Sequence, residues 1–278
     1  MGATCNNKTA LLLCDVDGTL VDGRGDFFRD AKKLISDVGS SIDIEFGLCS
    51  ARPMFSLKHL SMYLERISYI SSCQGASVYH KNNSTWTRVT DKTFSTSELE
   101  NVYDIARTHK VELWLFSDDN WFAENRTYAS SIESAILRVE PLAMRGNSSD
   151  MIRKAVIVLP ENEFRDAPSR SILFNNLKSV GVVFFLSKDS HLEITSNKLN
   201  LDKGAGEISR LSKVTTENTF AIGDGDNDYW MLSMFPNSAT FEDSSSTLKQ
   251  VCAYVVENPS KGGLVRVASA IFGSLRGG

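Results

Sequence analysis

The chain has 278 residues, 42% of them hydrophobic and 23% charged, with a formal net charge of −4. That balance is too apolar for a disordered chain and too mixed for a fibre, and no basic stripe marks a nucleic-acid binder. Apolar runs such as Val180 to Leu186 fall far short of the roughly 20 residues that cross a bilayer.

Met1 to Lys8 is polar and lacks the apolar stretch of a secretory signal. The five cysteines, Cys5, Cys14, Cys49, Cys73 and Cys252, are scattered without a CxxC pair and read as reduced thiols. A cytoplasmic protein without membrane or nucleic-acid partners is therefore expected, and the sequons at Asn7, Asn82, Asn83, Asn125 and Asn147 count as accidental.

In chain order, the apolar run Ala10 to Cys14 ends abruptly in Asp15-Val16-Asp17-Gly18-Thr19. A short apolar run bounded by turn residues predicts a strand buried on both faces. A helix follows from Phe27 to Val38, then a strand over Ile42 to Cys49 ending in Ser50-Ala51-Arg52-Pro53. Pro53 suits the first turn of a helix to Arg66, and Ile67 to Ser72 reads as a third strand. Strands alternating with helices predict a parallel sheet with right-handed crossovers.

Beyond residue 76 the pattern changes. Ser77 to His80 and Thr85 to Val89 read as a hairpin across Asn82-Asn83. Ser97-Glu98-Leu99-Glu100 has capping-box form and opens a helix to His109. Strands at Val111 to Phe116 and Trp121 to Glu124, a helix over Tyr128 to Val139, a strand at Ala155 to Leu159, a helix to Val180 and a strand at Val182 to Leu186 complete an α+β region with an antiparallel sheet.

After Ser190 the first style returns, with a helix over Asp202 to Leu211 and a buried strand, Thr219 to Ile222, that ends in Gly223-Asp224-Gly225-Asp226-Asn227-Asp228. Strands at Ser238 to Phe241 and Ala253 to Val256 and a helix over Gly263 to Phe272 close the chain. The expected organisation is a Rossmann-like α/β core, residues 1–83 and 191–278, interrupted by an α+β cap, residues 84–190.

Asp15 and Asp17 lie at the carboxyl end of one predicted strand and Asp224 to Asp228 at the end of another. Open α/β sheets bind ligands there, and two central strands would bring the acids into one crevice. Clustered carboxylates repel unless a cation lies between them, and oxygen ligands suit magnesium. The Asp-rich segment fails as an EF-hand loop, because its sixth and twelfth positions are Tyr229 and Phe235. No Gly-x-x-x-x-Gly-Lys-Ser/Thr occurs, which excludes a P-loop. Taken alone, either acidic cluster is also what turns and helix caps use. His80 and His191 sit near the two expected hinges as candidate neighbours. Trp86, Trp114 and Trp121 in the expected cap read as core rather than as a ligand platform.

Asp15-Val16-Asp17-Gly18-Thr19 resembles the first motif of the haloacid dehalogenase-like hydrolases. Ser50, Lys203 in Leu201-Asp202-Lys203-Gly204, and Gly223 to Asp228 resemble the second, third and fourth, in the same order. Only one helix and one strand fit between Asp15 and Ser50, whereas the interval from Ser50 to Lys203 far exceeds a crossover. The cap therefore enters between the second and third motifs, as in the class IIB, Cof-type, sugar-phosphatase-like branch. Ser50-Ala51-Arg52-Pro53 is similar to that branch's Thr-Gly-Arg-Pro, and Gln74-Gly75-Ala76 stands where it often has Asn-Gly-Ala.

The resemblance implies a magnesium-dependent phosphatase of small phosphorylated metabolites, sugar phosphates above all, working through an aspartyl-phosphate. Asp15 would be the nucleophile and Asp17 the acid–base. Asp15, the carbonyl of Asp17 and Asp224 would hold Mg2+, with Asp228 behind them orienting a bound water or Lys203. Ser50, Lys203 and Asn227 would bind phosphate. Arg52 is left between a phosphate contact and a core brace. A phosphomutase on the same fold and a non-catalytic metabolite-binding protein are the alternatives, and the oligomeric state is not legible.

Overall fold

Ala10–Cys14 forms strand β1, all five residues of it buried, as an uninterrupted apolar run requires. The computed structural model describes residues 10–40, 44–61, 67–144, 151–160, 167–187 and 190–276. After β1 come α1 (Arg29–Ser40), β2 (Ile44–Cys49), α2 (Met54–Ser61), β3 (Ile67–Ser72), β4 (Ser77–Asn82) and β5 (Thr85–Asp91). The middle of the chain supplies α3 (Thr96–His109), β6 (Glu112–Phe116), β7 (Trp121–Ala123), α4 (Tyr128–Leu137), β8 (Leu142–Ala143), β9 (Lys154–Val158), α5 (Ala167–Ser179), β10 (Val183–Ser187) and β11 (His191–Thr195). The last part supplies α6 (Ala205–Ser212), β12 (Thr219–Ile222), α7 (Tyr229–Met234), β13 (Asn237–Phe241), α8 (Ser246–Val251), β14 (Tyr254–Val256) and α9 (Gly263–Arg276).

The core sheet has eight strands in the order β14-β13-β12-β1-β2-β3-β4-β5. It is parallel from β14 to β3 and antiparallel across β4 and β5. Alternate residues of β1 point to opposite faces. Leu12 and Cys14 pack with Leu34 of α1, Leu57 of α2 and Leu264 of α9. Leu11 and Leu13 pack with Ile208 of α6, Leu232 of α7 and Leu248 of α8. The chain winds outward from β1 to one edge and returns from β12 to the other, so the strand order turns over beside β1. An α/β crevice opens at such a point.

The second sheet has the order β10-β11-β9-β6-β7-β8, antiparallel except for the two-residue pair of β7 with β8. Helices α3 and α5 cover one face through Val102, Ile105, Leu173 and Leu177. On the other face Trp114, Phe116 and Trp121 pack with Leu137 of α4 and with Phe55 from the core. Both tryptophans are fully buried core residues, as expected.

Sheet membership corrects the expected boundaries of 1–83, 84–190 and 191–278. The Asn82-Asn83 turn is a hairpin and not an exit, because β5 stays hydrogen-bonded to β4 in the core sheet. Trp86 on β5 accordingly packs against the core rather than belonging to the cap. At the return, β11 pairs with β9 and β10 in the cap sheet. The chain thus changes sheets between Asp91 and Glu112, and again after Thr195.

The capping box lies two residues earlier than expected. Ser95 Oγ accepts the Glu98 N–H and Glu98 Oε2 accepts the Ser95 N–H, so Ser95 rather than Ser97 caps α3. His80 and His191 are not mutual partners: His80 stacks on Tyr69 with ring centroids 4.8 Å apart, and His191 lies 5.3 Å from Trp114. Helices α7 and α8 and strand β8, none of them expected, are short elements of two to six residues. The residues expected to extend α2 to Arg66 and β2 back to Ile42 lie outside the described ones.

Charged groups tie the two sheets together. Arg153, only 2% exposed, donates to Ser77 Oγ on β4 at 2.6 Å and to Asp91 Oδ1 on β5 at 2.7 Å. Asp118, in the turn after β6, receives Arg88 of β5 at 2.7 Å and Arg153 at 2.9 Å. The Phe55 N–H at the start of α2 donates to the Asp118 carbonyl at 3.0 Å. Among the described residues no helix is long and apolar enough to cross a membrane.

Candidate active site

Adjacent parallel strands bring the first and fourth motifs together. β1 pairs with β12 from Leu11–Thr219 to Cys14–Ile222, so both end at the same level. The next residue, Asp15, donates its N–H to the Ile222 carbonyl at 2.9 Å. Gly18 has φ +81°, and a Cβ there would collide with the Asp224 carboxylate, so only glycine allows the two loops to meet. Thr19 Oγ1 donates to Asp224 Oδ1 at 2.9 Å, and Ser244 Oγ to the Asp224 carbonyl at 3.0 Å. No sequence signal named Ser244, and Thr19 was visible only as the last letter of its motif.

Asp228 closes the segment as a cap. Its Oδ2 accepts the Gly225 N–H at 3.0 Å, leaving Oδ1 for Lys203. Lys203 Nζ lies 2.8 Å from Asp15 Oδ1 and 2.6 Å from Asp228 Oδ1. These three side chains are almost wholly enclosed, with Lys203 1% exposed. Oxygens of Asp15, Asp224 and Asp228 all lie within 4.8 Å of one another.

The lysine is delivered by a strained connection. Lys203 itself has φ +53° and Gly204 φ +77°. Ser71 Oγ at the end of β3 donates to the Lys203 carbonyl. At the facing turn, Cys73, Gln74 and Gly75 have φ of 48°, 60° and 89°. A Cβ on Gly75 would stand 2.6 Å from the Gly204 nitrogen. Two left-handed stretches therefore pack backbone to backbone where the β3–β4 connection meets the third motif.

Ser50 follows β2 and is 1% exposed. Its N–H donates to Ser71, its carbonyl accepts the Gln74 N–H at 3.1 Å, and its Oγ accepts the Arg52 N–H at 3.1 Å. That leaves the hydroxyl proton as a donor toward the crevice. Arg52 is resolved in favour of a carboxylate partner, since Nε and Nη2 donate to the two oxygens of Asp17 at 2.8 and 2.7 Å. Asp17 is thus turned to Arg52, and the acid cluster proper consists of Asp15, Asp224 and Asp228. Asn227 lines a cavity between core and cap together with Gln74.

The charges do not balance. Burial, and next Asp228, push the Asp15 carboxyl well up, with Lys203 opposing. Burial and Asp228 likewise raise Asp224 to about 7, against the Thr19 hydrogen bond and Lys203. Burial opposes the Lys203 charge, but Asp15 and Asp228 outweigh it and raise that pKa. Three carboxylates against one ammonium leave two negative charges in an enclosed space, which must be relieved by protons or by a cation. Hard oxygen donors at this spacing fit a divalent cation such as magnesium. Cys14 and Cys49, beside the site in sequence, are fully buried with thiols pushed up chiefly by burial, and they fill the core.

A crevice at a strand-order reversal, with an inserted α+β layer above its acids, belongs to a capped α/β hydrolase. A profile for haloacid dehalogenase-like hydrolases matches residues 12–267, and the chain is a member of that family. YxeH from Bacillus subtilis (strain 168) is 21% identical over 234 residues, 80% of this chain and 83% of its own. A haloacid dehalogenase-like hydrolase from Bacteroides thetaiotaomicron superposes with a TM-score of 0.79 at 20% identity, covering 95% of this chain and 99% of its own. The subclass IIB sugar phosphatase BT4131 gives 0.79 at 16% identity over the same shares. The fold is therefore the Cof-type one, and the chain is an enzyme of the hydrolase class.

Proposed function

We propose that the enzyme is a magnesium-dependent phosphatase of small phosphorylated metabolites, sugar phosphates first among them, acting through an aspartyl-phosphate at Asp15. The observation that carries this reading is the unbalanced cluster of Asp15, Asp224 and Asp228 around Lys203. Asp15, Asp224 and the Asp17 carbonyl would hold magnesium, with Asp228 holding Lys203 from behind. The ion would neutralise charge shared by nucleophile and phosphate.

The Asp15 carboxylate attacks phosphorus, and the bond from phosphorus to the ester oxygen breaks. Asp17 in its acid form gives its proton to the departing alkoxide. Water then attacks the aspartyl-phosphate, Asp17 takes a proton from it, and inorganic phosphate leaves with Asp15 restored. Lys203 and the Ser50 hydroxyl hold the phosphoryl oxygens. Arg52 controls Asp17, because the two-pronged pair favours the carboxylate: it must loosen while Asp17 holds a proton and re-forms once that proton has gone to the alkoxide.

The test is phosphate release from an aryl phosphate, with and without magnesium, comparing wild type with Asp15→Asn. Magnesium-dependent turnover abolished by the substitution supports the reading. Turnover that survives Asp15→Asn defeats it, and release that requires a sugar bisphosphate activator would point to a mutase.

A further inference from the structure

Three large apolar side chains that stand exposed on this molecule come from separate segments and meet at one place. Leu186 of β10 is 42% exposed, Leu201 before α6 is 47% and Trp230 of α7 is 52%. All three line a single cavity of about 280 Å³ between the cap's edge strand and the turn at Asp226–Trp230. Val183 and Phe185 of β10 extend the apolar wall. Scattered exposed apolar residues need no explanation, but a convergent set around a hollow marks a binding surface.

The lining of the cavity adjoins the catalytic residues along the chain. Leu201 is two residues from Lys203 and Trp230 two residues from Asp228. Gln74, which also lines it, donates its N–H to the Ser50 carbonyl. The polar part of the lining comprises Gln74, Thr195 of β11, Asn200, Asp226 and Asn227. Behind Gln74 its side-chain amide reaches Glu193 Oε2 at 3.4 Å, and Glu193 is itself held by Ser187 at 2.8 Å and Lys154 at 3.4 Å. A leaving group that enters this cavity would meet amides, a hydroxyl and the Asp226 carboxylate together with aromatic and aliphatic walls supplied by cap and core.

We infer that this cavity is the leaving-group subsite and that it takes a sugar or polyol phosphate whose far end carries a flat aromatic or heteroaromatic ring. The inference rests on the phosphatase reading above and narrows its substrate class. Amide and hydroxyl groups suit the polyol hydroxyls. A ring gains by stacking on Trp230 or Phe185, whereas a bare sugar would leave those walls against water.

The experiment compares matched phosphates with wild type: ribose 5-phosphate with adenosine 5′-monophosphate, and ribitol 5-phosphate with flavin mononucleotide. Both pairs are repeated with Trp230→Ala and Phe185→Ala, with p-nitrophenyl phosphate as a generic control and thermal melts as the check on folding. At least one ring-bearing member is expected to exceed its ring-free partner in kcat/KM by about tenfold, within the range of a single base–aromatic stack. In both variants that ratio should collapse to within about twofold, mostly through KM. Trp230 is half exposed, so its variant should fold. Ring-free members turned over as well as their partners, or a ratio that both folded variants leave intact, would overturn the subsite while leaving the phosphatase reading standing. No turnover of any phosphate, the generic control included, would overturn both.

Discussion

Arg52 grips Asp17 with two parallel hydrogen bonds, Nε to Oδ2 at 2.8 Å and Nη2 to Oδ1 at 2.7 Å, while Asp17 itself stays half exposed. Burial works against the guanidinium charge, but Asp17 more than offsets it, so the Arg52 pKa is raised. The same guanidinium also donates to Ser56 Oγ of α2 at 3.3 Å. The proposed acid–base is thereby referenced to the core rather than left to rotate.

Arg52→Ala should lower kcat by about a hundredfold, the scale of losing orientation at a reacting group. Arg52→Lys should recover little, because an ammonium cannot reproduce the planar fork. Steady-state kinetics on a generic aryl phosphate check both. An Arg52→Lys enzyme with wild-type kcat would show that charge alone, and not geometry, matters.

Among the described residues, Lys203 is the ammonium bonded to Asp15 and Asp228. Lys203→Met should destabilise the metal-free protein by about 3 kcal/mol, since it leaves buried carboxylates unpaired. Asp228→Asn removes a carboxylate and keeps a cap acceptor, so it should be milder. Urea midpoints at constant m-value would measure both. A neutral Lys203→Met would mean that the site collapses onto water.

The raised Asp224 gives a pH dependence with a definite sign. Its pKa of about 7 lies above the ordinary 3.8, so between those values the folded chain holds a proton that the unfolded chain has released. Its contribution to metal-free stability is therefore complete at low pH and is lost as pH rises to about 7. Magnesium would take the place of that proton. The magnesium-induced rise in Tm should thus be larger at about pH 8 than at about pH 5.5. Equal rises at both pH values would sever the link between this carboxylate and the metal.

Gly75 and Gly204 offer a structural test. Gly75→Ala would place a methyl 2.6 Å from the Gly204 nitrogen at φ +89°. Both the conformation and the contact are unfavourable, and a loss of about 1–3 kcal/mol is expected. The neighbouring Lys203 would shift with the backbone, so activity should fall beyond the loss in folded fraction. Unaltered kcat in the folded variant would uncouple the turn from the lysine.

Much of this molecule is written locally. Five consecutive apolar residues ending in Asp15-Val16-Asp17 can only be a buried strand with acids at its exit, and the position of β1 bears that out. The interval from Ser50 to Lys203 likewise announced an inserted layer, because a crossover needs far less chain. Ends were less legible. The Asn82-Asn83 turn looked like a boundary because hairpins and exits use the same residues, and only the pairing of β5 assigned it to the core.

Tertiary structure alone decided the rest. That Arg52 faces Asp17, that Ser71 and Gly75 hold the Lys203 backbone, and that Leu186, Leu201 and Trp230 share one cavity all depend on residues far apart in sequence. Local patterns encode which residues leave a strand and in what order. Which side chains then meet is set by how two sheets pack, a long-range result of burial that no local window contains.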